Sequence, residues 1–254
     1  MKNNNRLQQL SSLVLGDERY LTMKTSELKK SINEISSGLD KEWIESGHSD
    51  FSIYHRKDYL YSVINCYYID SRHSITKSLK FFKENNIDIS NFDIFDDYNG
   101  LGFTTLDLIE AGFGTVSYFN DVKHQTDAFE KILDFYDLEH PYLDKNKTGK
   151  YDVVYSLEIA EHNQEPDEYM DEIMKMVKPG GWLILGQTFN PRWLGHFETY
   201  TVNGKTYKAR KAGAENWRRV IANGFDLVDI GFNTKPFFFK KREDGKPGRK
   251  ITPK

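Results

Sequence analysis

Apolar residues in this chain change their spacing near position 90, and the change divides it in two. Over 1–90 they recur every three or four residues. Leu28, Ile32, Ile35 and Leu39 form one stripe, and a run from 54 to 82 sets Tyr61, Ile64 and Tyr68, then Ile75, Leu79 and Phe82, along one side. This spacing predicts an N-terminal helical lid. From Asn91 onward, short apolar runs alternate with helix-length segments. The runs predict strands at 92–96, 115–120, 151–157, 181–189, 225–231 and 237–240, and the segments between them predict helices at 104–111, 123–135, 166–177 and 214–223. Alternating strands and helices need crossover connections, which build a mostly parallel sheet with helices on both faces. One further strand is due between 137 and 150, where HPYL is the only apolar match.

Composition narrows this picture without changing it. In a chain of 254 residues, 38% hydrophobic and 14% aromatic residues supply enough material for a core. No apolar run approaches the roughly 18 residues of a spanning helix, and the start, MKNNNRLQQL, lacks the apolar region of a signal peptide. The expectation is a cytoplasmic protein with no membrane partner. Cys66 is the single cysteine, which excludes an intrachain disulfide and a multi-cysteine zinc cage. Net charge is −3, unevenly placed: from Lys235 onward eight basic residues stand against Glu243 and Asp244, giving +6 and leaving −9 for the rest. The last segment, 242–254, therefore has two readings, a solvated and disordered basic tail or a contact for nucleic-acid phosphates.

Candidate chemistry lies where the predicted strands end. The run FDIFDDYNGLGF carries Asp96 at the end of its strand, then Gly100 and Gly102 before a helix, and glycines there let a backbone approach a ligand closely. The next strand ends in Asp121, placed to accept hydrogen bonds from ribose hydroxyls. A dinucleotide fingerprint starting at Gly100 would need glycine where Thr105 stands, which disfavours nicotinamide cofactors. After the fourth strand come Glu158, Glu161 and His162, which point toward the cleft.

The stretch YDVVYSLEIAEHNQEP, followed by a helix and VKPGGWLIL, resembles class I S-adenosylmethionine (SAM) methyltransferases. AENWRRVIANGFDLVDIGF and PFFFKK resemble the closing helix and last two strands of that family, so the resemblance covers about 92–241. It implies a Rossmann-like, seven-stranded α/β sheet over 91–241, SAM as cofactor, and methylation of an oxygen or nitrogen on a small molecule or a modified biopolymer end. Asp96, Gly100, Gly102, Asp121 and, near the missing strand's end, Asp144 would hold the cofactor. The family's first glycine is replaced here by Tyr98, which keeps open a non-catalytic module that uses the same fold as a scaffold.

On the acceptor side, the E-x-x-E-H sequence is similar to that of ubiquinone-pathway O-methyltransferases and small-RNA 3′-end methyltransferases, where it is associated with metal. The resemblance implies a divalent cation (Mg or Mn) on Glu158, Glu161 and His162, with His196 a fourth ligand, and an alternative activity as a metal-dependent RNA-end 2′-O-methyltransferase. Without metal, His162 acts as acid/base or orients the acceptor, because imidazole titrates near neutral pH. Asn190, Arg192, Trp193 and His196 follow the fifth strand and, with the helical lid, are expected to line the acceptor pocket. The Pro-Pro-aromatic tetrad of DNA amino-methyltransferases and the Pro-Cys nucleophile of cytosine-C5 enzymes are both missing from the sequence.

Overall fold

The computed structural model describes residues 6–97, 100–230 and 235–252, leaving aside the side chains of 69 and 70. Two strands form the centre of the molecule, β1 (Asp93–Asp97) and β4 (Tyr151–Leu157), which pair in parallel with Ile94 opposite Val153 and Asp97 opposite Ser156. Both are nearly continuous buried runs, as expected of strands covered on both faces. Beside β1 lie β2 (Thr115–Tyr118) and β3 (Tyr142–Leu143), and beside β4 lies β5 (Val177–Gly186). The far side is completed by β9 (Phe237–Lys241), β8 (Phe225–Val228) and β10 (Lys250–Ile251), giving the order β10-β8-β9-β5-β4-β1-β2-β3. Only β9 runs antiparallel to its neighbours.

Alternate side chains point to opposite faces of the sheet and meet different helices. Ile94, Val153, Tyr155, Trp182, Ile184 and Phe238 pack with α5 (Arg72–Glu84) and α6 (Phe103–Glu110). Phe95, Val154, Leu183, Leu185 and Phe239 pack with α8 (Asp167–Met176) and α9 (Ala209–Ala222). Aromatic rings tie α5 to the sheet. Phe81 lies 4.6 Å from Phe238 and 5.4 Å from Trp182, centroid to centroid, each pair contributing about 0.5–1.5 kcal/mol beyond its buried area.

The N-terminal region is helical, as its spacing predicts: α1 (Arg6–Leu15), α2 (Arg19–Thr22), α3 (Thr25–Glu45) and α4 (Tyr59–Cys66) precede α5. These helices form two separate cores. Leu7, Leu10, Leu28, Ile32 and Ile64 pack on α6 and on α7 (Lys123–Phe135). Further along α3, Leu39 and Trp43 pack with Leu194, Phe197 and Tyr200 beyond β5. Tyr200 belongs to a hairpin, β6 (Thr199–Val202) and β7 (Lys205–Lys208), which the apolar pattern does not show.

Two sequence expectations change. The sheet has eight strands rather than seven, because β10 forms within the segment expected to be a disordered tail. Asp229 N–H donates to the Ile251 carbonyl at 2.7 Å, and Leu227 N–H to that of Arg249 at 2.9 Å. Part of the positive charge counted from Lys235 onward is also held by neighbours. Lys241 donates to the carbonyls of Met174 and Val177, Arg242 pairs with Asp226 and Asp244, Lys250 pairs with Asp229, and Lys240 lies over the Trp182 ring. These contacts hold the strand β10 and its flank against the sheet.

Candidate functional site

The carboxyl ends of β1, β2, β4 and β5 share one edge of the sheet, where ligands of doubly wound folds sit. The left half of that edge is a glycine turn. Gly100 and Gly102 take left-handed conformations (φ 54° and 78°), and Gly102 caps the start of α6. A Cβ on Gly102 would lie 1.8 Å from the Phe129 ring, so the turn is held against α7 at a distance only glycine permits. Asn120, just past β2, fixes the turn by donating to the Gly100 carbonyl at 2.7 Å. Tyr98 lies outside the described residues.

Acidic groups around this turn divide by role. Asp96 is buried and accepts from the Thr105 hydroxyl at 2.6 Å, and burial pushes its carboxyl up to about 8. It therefore braces the turn against α6. Asp121 is exposed a few residues past the carboxyl end of β2, as a group reaching a ligand must be. Asp144 is committed elsewhere: it accepts from Thr148 N–H at 3.4 Å, Gly149 N–H at 3.1 Å and the Tyr151 hydroxyl at 2.9 Å, and these bonds hold its carboxyl below the usual range despite desolvation. Asp97, invisible as a site residue in the sequence, points to the opposite face and pairs with Lys147 at 2.9 Å. The Lys147 ammonium also lies 4.1 Å from the centroid of the Phe119 ring.

The right half of the edge is the acidic histidine loop. Glu158 leaves β4 in a left-handed conformation (φ 58°), with its N–H donating to the Gly186 carbonyl at 2.6 Å. Its Oε1 meets the Lys235 ammonium at 2.7 Å, and the same ammonium lies 2.5 Å from the Thr188 hydroxyl. Glu161 is fully buried and its Oε1 accepts from Thr188 N–H at 2.6 Å. Burial first, and the charge of Glu158 second, push Glu161 well above the usual carboxylate range.

His162 and His196 stand edge to face, 4.9 Å between ring centroids. Burial lowers His162 to about 4 and His196 to about 2, the latter helped by His162 and Lys235, so both are uncharged at neutral pH. The Tyr54 hydroxyl, from the turn between α3 and α4, lies 3.2 Å from His162 Nδ1. Gly195 makes this packing possible, since a Cβ there would come within 1.9 Å of that hydroxyl and 2.2 Å of His162 Nδ1.

The expected acceptor residues differ in placement. Trp193 lies half-buried with Lys235 5.8 Å from its ring centroid, whereas Arg192 is exposed. Asn190 caps its own turn, its Oδ1 accepting Arg192 N–H at 3.2 Å and its N–H donating to His196 Nδ1 at 3.3 Å. The N-terminal helices do reach this region: Trp43 Nε1 donates to the His196 carbonyl at 2.7 Å, and Asp40 accepts from Leu194 N–H at 2.8 Å. A cleft of about 740 Å³ opens between them, lined by His48, Phe51, His162, Phe197, Glu165 and Glu198. Tyr54, Thr188, Gly195 and Lys235 carry no sequence signal as site residues. Each is assembled by contacts across many positions, and Lys235 is 77 residues from Glu158.

A family model described as a methyltransferase domain matches residues 34–230. The chain is 29% identical over 92 residues to the ubiquinone biosynthesis O-methyltransferase of Paraburkholderia phytofirmans, a match covering 36% of this chain and 34% of that protein. It is 29% identical over 138 residues to the enzyme of the same name from Burkholderia vietnamiensis, covering 54% of this chain and 44% of that protein. The chain thus spans less than half the length of these curated relatives. Among solved structures, magnesium protoporphyrin IX methyltransferase from Synechocystis PCC 6803 with bound SAH shares the fold, with a TM-score of 0.51, 16% identity, and coverage of 70% of this chain and 87% of that one.

Proposed function

The chain belongs to the methyltransferase domain family, and from that premise we propose that it is a SAM-dependent enzyme that methylates an oxygen of a small acceptor. One observation carries the reading: the left-handed Gly100–Gly102 turn beside exposed Asp121 and the Glu158–Glu161–His162 loop share a single sheet edge. The first group suits a nucleoside with a polar tail, the second an acceptor. The preference for oxygen over nitrogen rests on the O-methyltransferase relatives.

The residues fit the cofactor at the turn. Gly100 and Gly102 let its polar end approach the backbone, and Asp121 accepts from ribose hydroxyls. Asp96 supports the turn through Thr105, and the Asp144 carboxylate accepts hydrogen bonds within its own loop. When bound, SAM supplies an activated methyl group, and the protein's share of the work is alignment. His162, uncharged and lining the cleft, orients an acceptor hydroxyl by hydrogen bonding, while Tyr54 fixes the ring. Phe51 and Phe197 give the acceptor apolar walls, and Glu165 and Glu198 at the same cleft disfavour an anionic biopolymer end.

Calorimetry with S-adenosylhomocysteine tests this. The protein is expected to bind with saturable micromolar affinity and Asp121→Ala to lose about tenfold or more. No heat from the unmodified protein would sink the proposal and leave the scaffold reading.

A further inference from the structure

The E-x-x-E-H sequence implies a divalent metal on Glu158, Glu161, His162 and His196, and the residues as arranged do not fit one. Among the described residues, no group of three or more His, Cys, Asp or Glu side chains is placed to hold a metal ion. Each of the four already has one donor atom engaged by a neighbour. Glu158 Oε1 holds the Lys235 ammonium, Glu161 Oε1 holds Thr188 N–H, His162 Nδ1 faces the Tyr54 hydroxyl, and His196 Nδ1 accepts Asn190 N–H. The Lys235 ammonium already sits against Glu158 Oε1 at 2.7 Å, where a divalent cation on oxygen donors would need that carboxylate for itself.

We propose that Lys235 is the resident cation of this loop: its ammonium takes the place beside Glu158 that a metal would fill and positions Glu158 and Thr188, so the site works without metal. Lys235 is suited to this because its side chain is largely buried, 18% exposed, between Glu158, Thr188 and the face of Trp193. Through Thr188, whose hydroxyl it touches and whose N–H binds Glu161, one ammonium organises both glutamates. Lys235 is thus a positioning residue. The proposal rests on the acceptor-side reading above, but its test reads metal uptake, which is independent of SAM binding and methyl transfer.

Mn²⁺ titration followed by electron paramagnetic resonance decides it. The unmodified protein is expected to leave the free-ion signal undiminished at millimolar Mn²⁺, and Lys235→Arg, which keeps the charge, to do the same. Lys235→Met should gain stoichiometric Mn²⁺ uptake at least about tenfold tighter than the unmodified protein, and adding Glu158→Gln should abolish it. Lys235→Gln, which keeps a polar contact to Glu158 but no charge, repeats the gain should the methionine variant not fold. Stoichiometric uptake by the unmodified protein that is lost in Glu158→Gln overturns the proposal. So does a charge-removing variant with native near-ultraviolet circular dichroism and no Mn²⁺ uptake.

Discussion

At the scale of single residues, environment separates carboxylates that look alike in the sequence. Asp96, Asp97, Asp121 and Asp144 all lie near strand ends, yet one is buried against a hydroxyl, one is ion-paired, one is exposed and one caps a loop. Asp96 makes this measurable. Its carboxyl titrates near 8 in the folded chain and at its ordinary 3.8 when unfolded, so its contribution is fully present below about 4 and is lost as pH rises toward 8. Asp96→Asn removes this loss. The stability of the asparagine variant relative to the unmodified protein is expected to climb by on the order of a few kcal/mol between pH 5 and pH 8. Urea midpoints at the two pH values check it, and a pH-independent difference would show that Asp96 is already ionised in the fold. A strand-end acid was legible in sequence; its protonation was not, because that depends on what the helices exclude.

At the scale of elements, glycines with the same backbone conformation differ in consequence. Gly102 and Gly204 both have positive φ, 78° and 68°, but a Cβ on Gly102 strikes Phe129 whereas one on Gly204 meets nothing within 4 Å. Gly204→Ala should cost only the left-handed penalty, about 1–2 kcal/mol. Gly102→Ala adds the overlap with α7 and should cost about 3 kcal/mol or more. Denaturant melts of the pair test this, with equal costs arguing against close contact of the turn and α7. Asn203–Gly204 is also the signal by which the β6–β7 hairpin could have been found, since Asn-Gly favours a two-residue hairpin turn. The Lys-Pro-Gly-Gly segment falls between the helix expected at 166–177 and the strand expected at 181–189, but lies within β5. Tyr151 pairs with Val177 and Val153 with Trp182, so the extra residues bulge out, and Gly181 approaches the Asp152 carbonyl where a Cβ would come to 2.8 Å.

At the scale of the whole molecule, α3 ties the N-terminal helices to the acceptor side of the sheet. Trp43, fully buried, packs on Phe197 and bonds the His196 carbonyl. Trp43→Ala should cost about 3–5 kcal/mol. Hydrogen exchange should speed up over 190–197 first, while amides of β4 and β5 keep their protection; uniform acceleration would mean that the segment is not a separate unit.

The sequence by itself determined the alternation of strands and helices, the glycine turn and the acidic histidine loop, because hydrophobic period and turn chemistry are local. It also carried seven of the eight strands, including the two-residue β3 where only HPYL matched. What tertiary structure alone decided is which charges meet. Lys235 reads as the first of the basic residues counted toward the end of the chain, and in the fold it pairs with Glu158; Asp144 reads as a cofactor contact, and in the fold its carboxylate also accepts hydrogen bonds from its own loop. Pairing and protonation depend on neighbours brought together through the fold and on the water they exclude, and neither is encoded in spacing along the chain.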